Sequence, residues 1–269
     1  MSNIETIAEA FSRTAAKYDA LIDNNPHLTR LRRKVYEHVS RQVEPGGRIL
    51  ELNAGTGIDA VALAQRGYKI HATDIAPDML ARARDKVEQF GLQEQVSVQE
   101  CSYKQLNKIR TAPFDAVLSN FGGLNCIPDL SVVIEQMPGV LRPGGTVTWV
   151  LMPPVCLWEM AEVLRGKFRV AFRRFARNGV HSHLEGLHFT VYYFSPRRTI
   201  DWFGNDYELL ELEGLSVITP ISQNKLLAKR YPRLYASLAW LDDRLSKRPP
   251  WWGWGDFYII SMRYKPKQP

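Results

Sequence analysis

The run Ile49-Leu50-Glu51-Leu52-Asn53-Ala54-Gly55-Thr56-Gly57 concentrates more usable chemistry than any other stretch of the chain. An apolar strand carries an acid and ends in a turn of small residues. Ala54, Gly55 and Gly57 let a ligand approach the backbone, and glycine takes positive φ at little steric cost. Asn53 is the next most tolerant residue type for that conformation. A helix opening after the turn offers free N–H groups to a carboxylate or phosphate. The second signal is Asp74, seventeen residues after Gly57 at the end of the next apolar run. In nucleotide-binding α/β folds, an acid at this place accepts hydrogen bonds from ribose hydroxyls.

The ligand follows from the detail. A dinucleotide fingerprint needs G-x-G-x-x-G. This chain has Asn53-x-Gly55-x-Gly57, and Asp59 follows where a pyrophosphate would meet a like charge. Glu51 ahead of the turn suits an ammonium group. Acid, turn and Asp74 together fit an amino acid joined to adenosine.

The elements that must hold these residues alternate. Apolar runs predict strands over 48–52, 69–73, 96–98, 115–119 and 146–152, with helices after Gly57, from Pro77 to about 90, and over 129–137. Alternation of this kind argues a parallel sheet with helices on both faces. Residues 3–44 read as helices broken at Asn24-Asn25-Pro26. After Pro154 the rhythm changes. Residues 158–164 read as helical, 188–194 as a strand, 199–203 as a short helix and 207–218 as extended. A long helix over 226–245 and a closing strand over 257–264 complete the chain.

The pattern resembles the class I S-adenosylmethionine-dependent methyltransferases, in the branch that acts on small molecules. The resemblance rests on Phe11 with Tyr18-Asp19, on Glu51 to Gly57, and on Thr73-Asp74-Ile75-Ala76-Pro77-Asp78-Met79-Leu80. It rests also on Phe114 to Phe121 and on Val140-Leu141-Arg142-Pro143-Gly144-Gly145. It covers residues 10–152 closely and the last strand loosely. Two positions depart from the family: Asn53 stands for its first glycine and Cys101 for its usual adenine-side acid.

The resemblance implies an α/β, Rossmann-like, seven-stranded, mostly parallel sheet with helices on both faces. One domain, 1–269, would comprise an N-terminal helical lid (1–44), a cofactor-binding core (45–152), a substrate-cap insertion after strand five (153–195), and closing helices and strands (196–269). It implies S-adenosyl-L-methionine as cofactor. Glu51, Asn53, Ala54, Gly55 and Gly57 would face the methionine part and Asp74 the ribose. Ile75 and Met79 would pack on adenine, with Cys101 and Ser102 near its amino group. Asn120 and Phe121 would line the way to the acceptor, and Tyr18 would close over the cofactor.

The expected reaction is methyl transfer to a small acceptor by in-line attack on the sulfonium methyl, in which alignment does most of the work. His188 and Tyr192 are the candidates for a catalytic base. The aromatics Trp158, Phe168, Phe172, Phe175, Phe189 and Tyr192 predict a bulky apolar or aromatic acceptor, and nearby arginines allow it an anionic group. Two other readings stay open: a non-catalytic S-adenosylmethionine-binding module and a nucleic-acid methyltransferase. Asn120-Phe121-Gly122-Gly123 lacks the Pro-Pro-aromatic sequence of amino-methylating nucleic-acid enzymes, and no cysteine follows a proline.

Composition sets the bounds. The 269 residues carry 35 Lys and Arg against 28 Asp and Glu, a net charge of +7, which permits an anionic partner without requiring one. His181, His183 and His188 lack an acidic pair at ligand spacing, so no metal site is expected. Three scattered cysteines and no basic-apolar leader fit a cytoplasmic setting. Trp251-Trp252-Gly253-Trp254 beside Lys247 and Arg248 is the candidate for peripheral membrane contact.

Overall fold

The computed structural model describes residues 2–22, 25–221 and 225–266. Asn24, part of the expected helix break, lies outside the described residues. The elements run α1 (Asn3–Ile22), α2 (Pro26–Gln42), β1 (Arg48–Leu52), α3 (Ile58–Ala64), β2 (Lys69–Asp74), α4 (Pro77–Gln89), β3 (Val96–Glu100), β4 (Phe114–Ser119), α5 (Ser131–Ile134) and β5 (Leu141–Leu151). Then come α6 (Leu157–Met160), α7 (Phe168–Phe172), β6 (Val180–Leu184), β7 (Leu187–Val191), α8 (Pro196–Phe203), β8 (Tyr207–Leu215), α9 (Lys225–Arg230), α10 (Pro232–Leu245) and β9 (Phe257–Tyr264).

Seven strands form one sheet in the order β3-β2-β1-β4-β5-β9-β8. The first five are parallel, β9 runs antiparallel to β5, and β8 antiparallel to β9. The order reverses between β1 and β4. The crevice outside the carboxyl ends of these strands is where doubly wound sheets take ligands.

Strand alternation builds a core on each face. Leu50 and Leu52 of β1 join Val147, Trp149 and Leu151 of β5 on one side. Ile49 and Val150, from the same strands, face the opposite side with Leu31, Val35 and Val39 of α2. This period-two division is what a strand covered on both faces requires. Glu51 shares the face of Ile49, so its carboxyl is carried into the layer beneath α2 and α3 rather than into solvent.

Three expected elements differ. The helix over 129–137 shrinks to α5, because Pro138 ends it after a single turn. The helix over 226–245 is two helices, split before Pro232, where the preceding residue is pushed out of the helical region: Tyr231 has φ −132° and ψ 65°. Residues 180–191, read as a strand only from 188, fold as a hairpin of β6 and β7 that pairs apart from the main sheet.

Candidate functional site

The glycine turn leaves β1 through left-handed backbone: Asn53 has φ 48°, Gly55 56° and Gly57 74°. The Ala54 N–H donates to the Thr73 carbonyl at 2.9 Å, which clips the turn to the end of β2. Gly55 donates to Asp74 Oδ2 at 2.8 Å, while Ile75 and Ala76 donate to Asp74 Oδ1 at 2.7 and 3.0 Å. A carboxylate has about four acceptor sites, so one remains for a ligand hydroxyl. Burial pushes Asp74 above the ordinary carboxylate range, and the three backbone bonds oppose that rise.

A cavity of about 270 Å³ opens above this turn. Tyr18, Asn53, Gly55, Asp74, Ile75, Met79, Asn120 and Phe121 all line it. It shares Tyr18, Asn53, Gly55, Asn120 and Phe121 with a small neighbouring recess of about 40 Å³ that is also lined by Ala54, Arg32 and Asp59. A wider cleft of about 570 Å³, rimmed by Arg33, Arg66 and Lys86, shares Arg32 but touches no residue of the Asn53–Gly57 turn.

Helix α1 roofs the cavity with Ile7, Ala8, Phe11 and Tyr18. Both its ends are tied. Asn3 donates to the carbonyls of Cys126 and Thr190 at 3.0 and 3.1 Å. At the other end Asp19 accepts from Thr56 Oγ1 at 2.6 Å and pairs with Lys86 at 2.9 Å. Helix α1 is thus tied to the glycine turn through Thr56 and to α4 through Lys86.

Arg32 and Asp59 are residues that sequence reasoning missed as site groups. The Arg32 guanidinium pairs with Asp59 and lies 4.7 Å from the Phe121 ring centroid. Asp59 also accepts from Tyr36 at 2.5 Å and from Asn120 at 3.0 Å. Two buried polar atoms here lack partners among the described residues: Arg32 Nε and Glu51 Oε2. Burial drives Glu51 well above the ordinary carboxylate range, the Asp59 charge adds to this, and Arg32 offsets part of it. The unused donor belongs to Arg32, which lines the recess, and it suits a ligand carboxylate.

Other expected positions fall elsewhere. Glu51 is 1% exposed and does not line the cavity; it lies beneath the turn. Gly57 does not line it either: a Cβ there would sit 3.0 Å from Ala83 Cβ, so this glycine packs α3 on α4. Cys101 and Ser102 are turned away, with the Cys101 thiol against the carbonyls of Ser102 and Gln105, and Tyr103 lines the cavity in their place. His188 is exposed on the outer face of the hairpin, with its ring 4.8 Å from that of His183, because strand alternation gives the inner face to Ser182, Phe189 and Val191. Tyr192 packs against the core.

Of the cap aromatics, only Phe189 lines the cavity. Trp158 instead donates to the Ile218 carbonyl at 3.2 Å. Trp251 and Trp254 stack edge-on at 5.6 Å and Trp252 packs against the core, so all three are half-buried.

Two clusters carry metal-ligating side chains among the described residues: His38 with Glu211 and Glu213, and Cys156 with Glu159 and Asp256. Lys34 and Lys247 neutralise the first and Arg173 and Arg174 the second, leaving no net negative charge to attract a cation. Among the described residues, no helix is long and apolar enough to cross a membrane.

Residues 49–145 match the family described as "Methyltransferase domain". The matched segment runs from β1 into β5 and so contains the glycine turn and Asp74. The chain is similar to a phosphatidylethanolamine N-methyltransferase of Cereibacter sphaeroides, 33% identical over 116 residues, which are 43% of this chain and 54% of the relative. It is similar also to a demethylmenaquinone methyltransferase of Bacillus cytotoxicus, 30% identical over 152 residues, 54% of this chain and 62% of the relative. The chain therefore spans little more than half the length of these relatives. In fold it matches the DhpI–SAH complex, with TM-score 0.61, 16% identity and 98% of each chain covered. The CcbJ methyltransferase from Streptomyces caelestis gives TM-score 0.61 and 16% identity over 87% of this chain and 94% of that one. Among the described residues, Arg32 Nε is an unpartnered buried donor on a residue that lines the small recess beside the turn, and a ligand carboxylate there would satisfy it.

Proposed function

We propose that this protein transfers the methyl group of S-adenosylmethionine to a small, largely apolar acceptor. One observation carries the reading. The glycine turn and Asp74 line a cavity that is also lined by Ile7, Phe11, Met152, Phe189 and Val191, and the Arg32–Asp59 pair lines a recess that shares Tyr18, Asn53, Gly55, Asn120 and Phe121 with it. Asp74 would take a ribose hydroxyl, Ile75 and Met79 would face the base, and Arg32 would hold the carboxylate. Bound there, the cofactor supplies an electrophilic methyl group.

The chain's own residues bind, align and exclude water. Alignment of two bound reactants is worth roughly 7–11 kcal/mol of barrier. Among the described residues, the acceptor end carries no histidine or free carboxylate; its titratable groups are Tyr103 and Cys126. Burial pushes the Cys126 thiol up to about 12 and raises the Tyr103 hydroxyl above its ordinary value. Both stay protonated at neutral pH and serve as donors at most. The acceptor must then bring an atom with a free lone pair, or one that loses its proton unaided.

The apolar end also supports an acceptor without a full charge at that end, since an unpaired ion there would be costly to bury. The residues 153–195 contribute to the acceptor end through the hairpin β6–β7, which supports their reading as a cap. Incubation with radiolabelled S-adenosylmethionine and lipid-soluble or water-soluble extracts tests the reading. Label in an apolar small molecule is the expected result. Saturable cofactor binding with no label transferred to any fraction would favour a binding module instead.

A further inference from the structure

The segment 164–177 has its apolar face outward. It reads Leu-Arg-Gly-Lys-Phe-Arg-Val-Ala-Phe-Arg-Arg-Phe-Ala-Arg, with six cations and no acid. Phe168 and Phe172 stand one turn apart on α7, Leu164 lies in the 3-10 turn that ends at left-handed Gly166, and Phe175 lies in the 3-10 turn that follows α7. A surface helix normally turns its apolar face to the core. Here Leu164 is 91% exposed, Phe168 59%, Phe172 50% and Phe175 48%. The inward positions are Ala171 and Arg174, 3% and 4% exposed.

Arg174 is the anchor. Its guanidinium pairs with Glu159 at 2.6 Å and Asp256 at 2.7 Å, and donates to the Asp256 carbonyl at 2.9 Å. The segment is therefore pinned by a buried charge network, and its aromatic side is left about half exposed, with the Phe172 and Phe175 ring centroids 6.3 Å apart. Arg165 and Lys167 share Glu162, and Arg173 pairs with Glu159. Arg169 and Arg177 make no ion pair among the described residues.

We infer that this surface docks the protein on an anionic lipid bilayer. Phe168 and Phe172 would enter the boundary between headgroups and acyl chains, and Arg169 and Arg177 would meet lipid phosphates. Exposed aromatic and aliphatic side chains flanked by one-signed positive charge are the physical signature of interfacial binding. A second copy of the chain fits poorly, because a two-fold contact would set the unpaired Arg169 and Arg177 against their own copies. A nucleic acid would use the cations but leave Leu164 and Val170 without an apolar partner. Another exposed apolar pair, Leu234 and Trp240 of α10, lacks this charge: exposed Asp243 lies beside it, and the Arg244 guanidinium covers the Trp240 ring at 4.1 Å. The inference does not depend on methyl transfer.

Cosedimentation with vesicles tests it. The expected result is pelleting with mixed phosphatidylcholine–phosphatidylglycerol vesicles and about tenfold weaker pelleting with phosphatidylcholine alone or at high salt. The doubly substituted F168S/F172S and R169Q/R177Q proteins should each bind the mixed vesicles about tenfold more weakly. Their unfolding midpoints should match the parent, since the altered side chains are exposed. Failure of the parent to pellet on anionic vesicles overturns the inference, as does unchanged binding of F168S/F172S. So does displacement from vesicles by a single-stranded RNA, or a dimer in solution that F168S/F172S dissociates.

Discussion

The Asn53 side chain fills the space that a Cβ on Gly123 would need: such an atom would lie 2.3 Å from Asn53 Cγ. The two positions are coupled. Asn53 accepts from Ser119 Oγ at 2.8 Å and donates to the Asn120 carbonyl at 3.3 Å, so it ties the first turn to the loop after β4. Asparagine in place of the family's first glycine is accommodated because the opposing residue is itself glycine. Gly123→Ala should cost about 1–3 kcal/mol through overpacking. Asn53→Gly should restore most of that loss in the double variant. Thermal unfolding of the four proteins measures the coupling, and strict additivity would break the link.

Arg32→Lys separates charge from geometry. A lysine keeps a cation beside Asp59 but lacks the Nε donor that stands unpartnered. S-adenosylmethionine should bind about tenfold more weakly, with the unfolding midpoint changed little. Arg32→Met, which strands a buried Asp59, should lower stability by about 3–5 kcal/mol. Equal affinity in Arg32→Lys and the parent would remove Arg32 from the site.

His27 supplies a pH dependence. Burial, aided by the Arg30 charge, lowers it from 6.5 to about 4. Its ring sits between Tyr235 at 2.7 Å and Ser216 at 2.8 Å. The unfolded chain therefore binds a proton between pH 6.5 and 4 that the folded protein does not. Stability from this group is full above pH 6.5 and is lost as pH falls towards 4, by at most about 3 kcal/mol. Urea unfolding at several pH values should show this slope, shallower in His27→Gln. An identical slope in both proteins would assign the dependence to other groups.

His188→Ala should leave kcat/KM within about twofold of the parent, since an exposed substitution away from the cavity changes little. A loss of a hundredfold or more would place a base on the hairpin after all.

Much of this was legible in the sequence, for local reasons. β1 and β9 match their apolar runs because a strand covered on both faces leaves no polar ambiguity. The turn and Asp74 were readable because small residues and an acid at a strand end have few other uses. Arg32 and Asp59 were not, because their meeting depends on how α2 lies over α3. The hairpin did carry a signal: Glu185 and Gly186, with φ 47° and 80°, form the two-residue turn that joins such strands. The cap phenylalanines show the limit of periodicity. Spacing identifies a face, but only Arg174 finding Glu159 and Asp256 decides which side turns inward.

Calorimetric titration of S-adenosylmethionine into the parent protein and into Asp74→Ala tests the central claim, that an adenosyl ligand lies above the Asn53–Gly57 turn with its ribose on Asp74. Saturable heat with the parent, weakened about tenfold to a hundredfold by the substitution, is the predicted result. No heat with the parent, or equal affinity in Asp74→Ala, would contradict it.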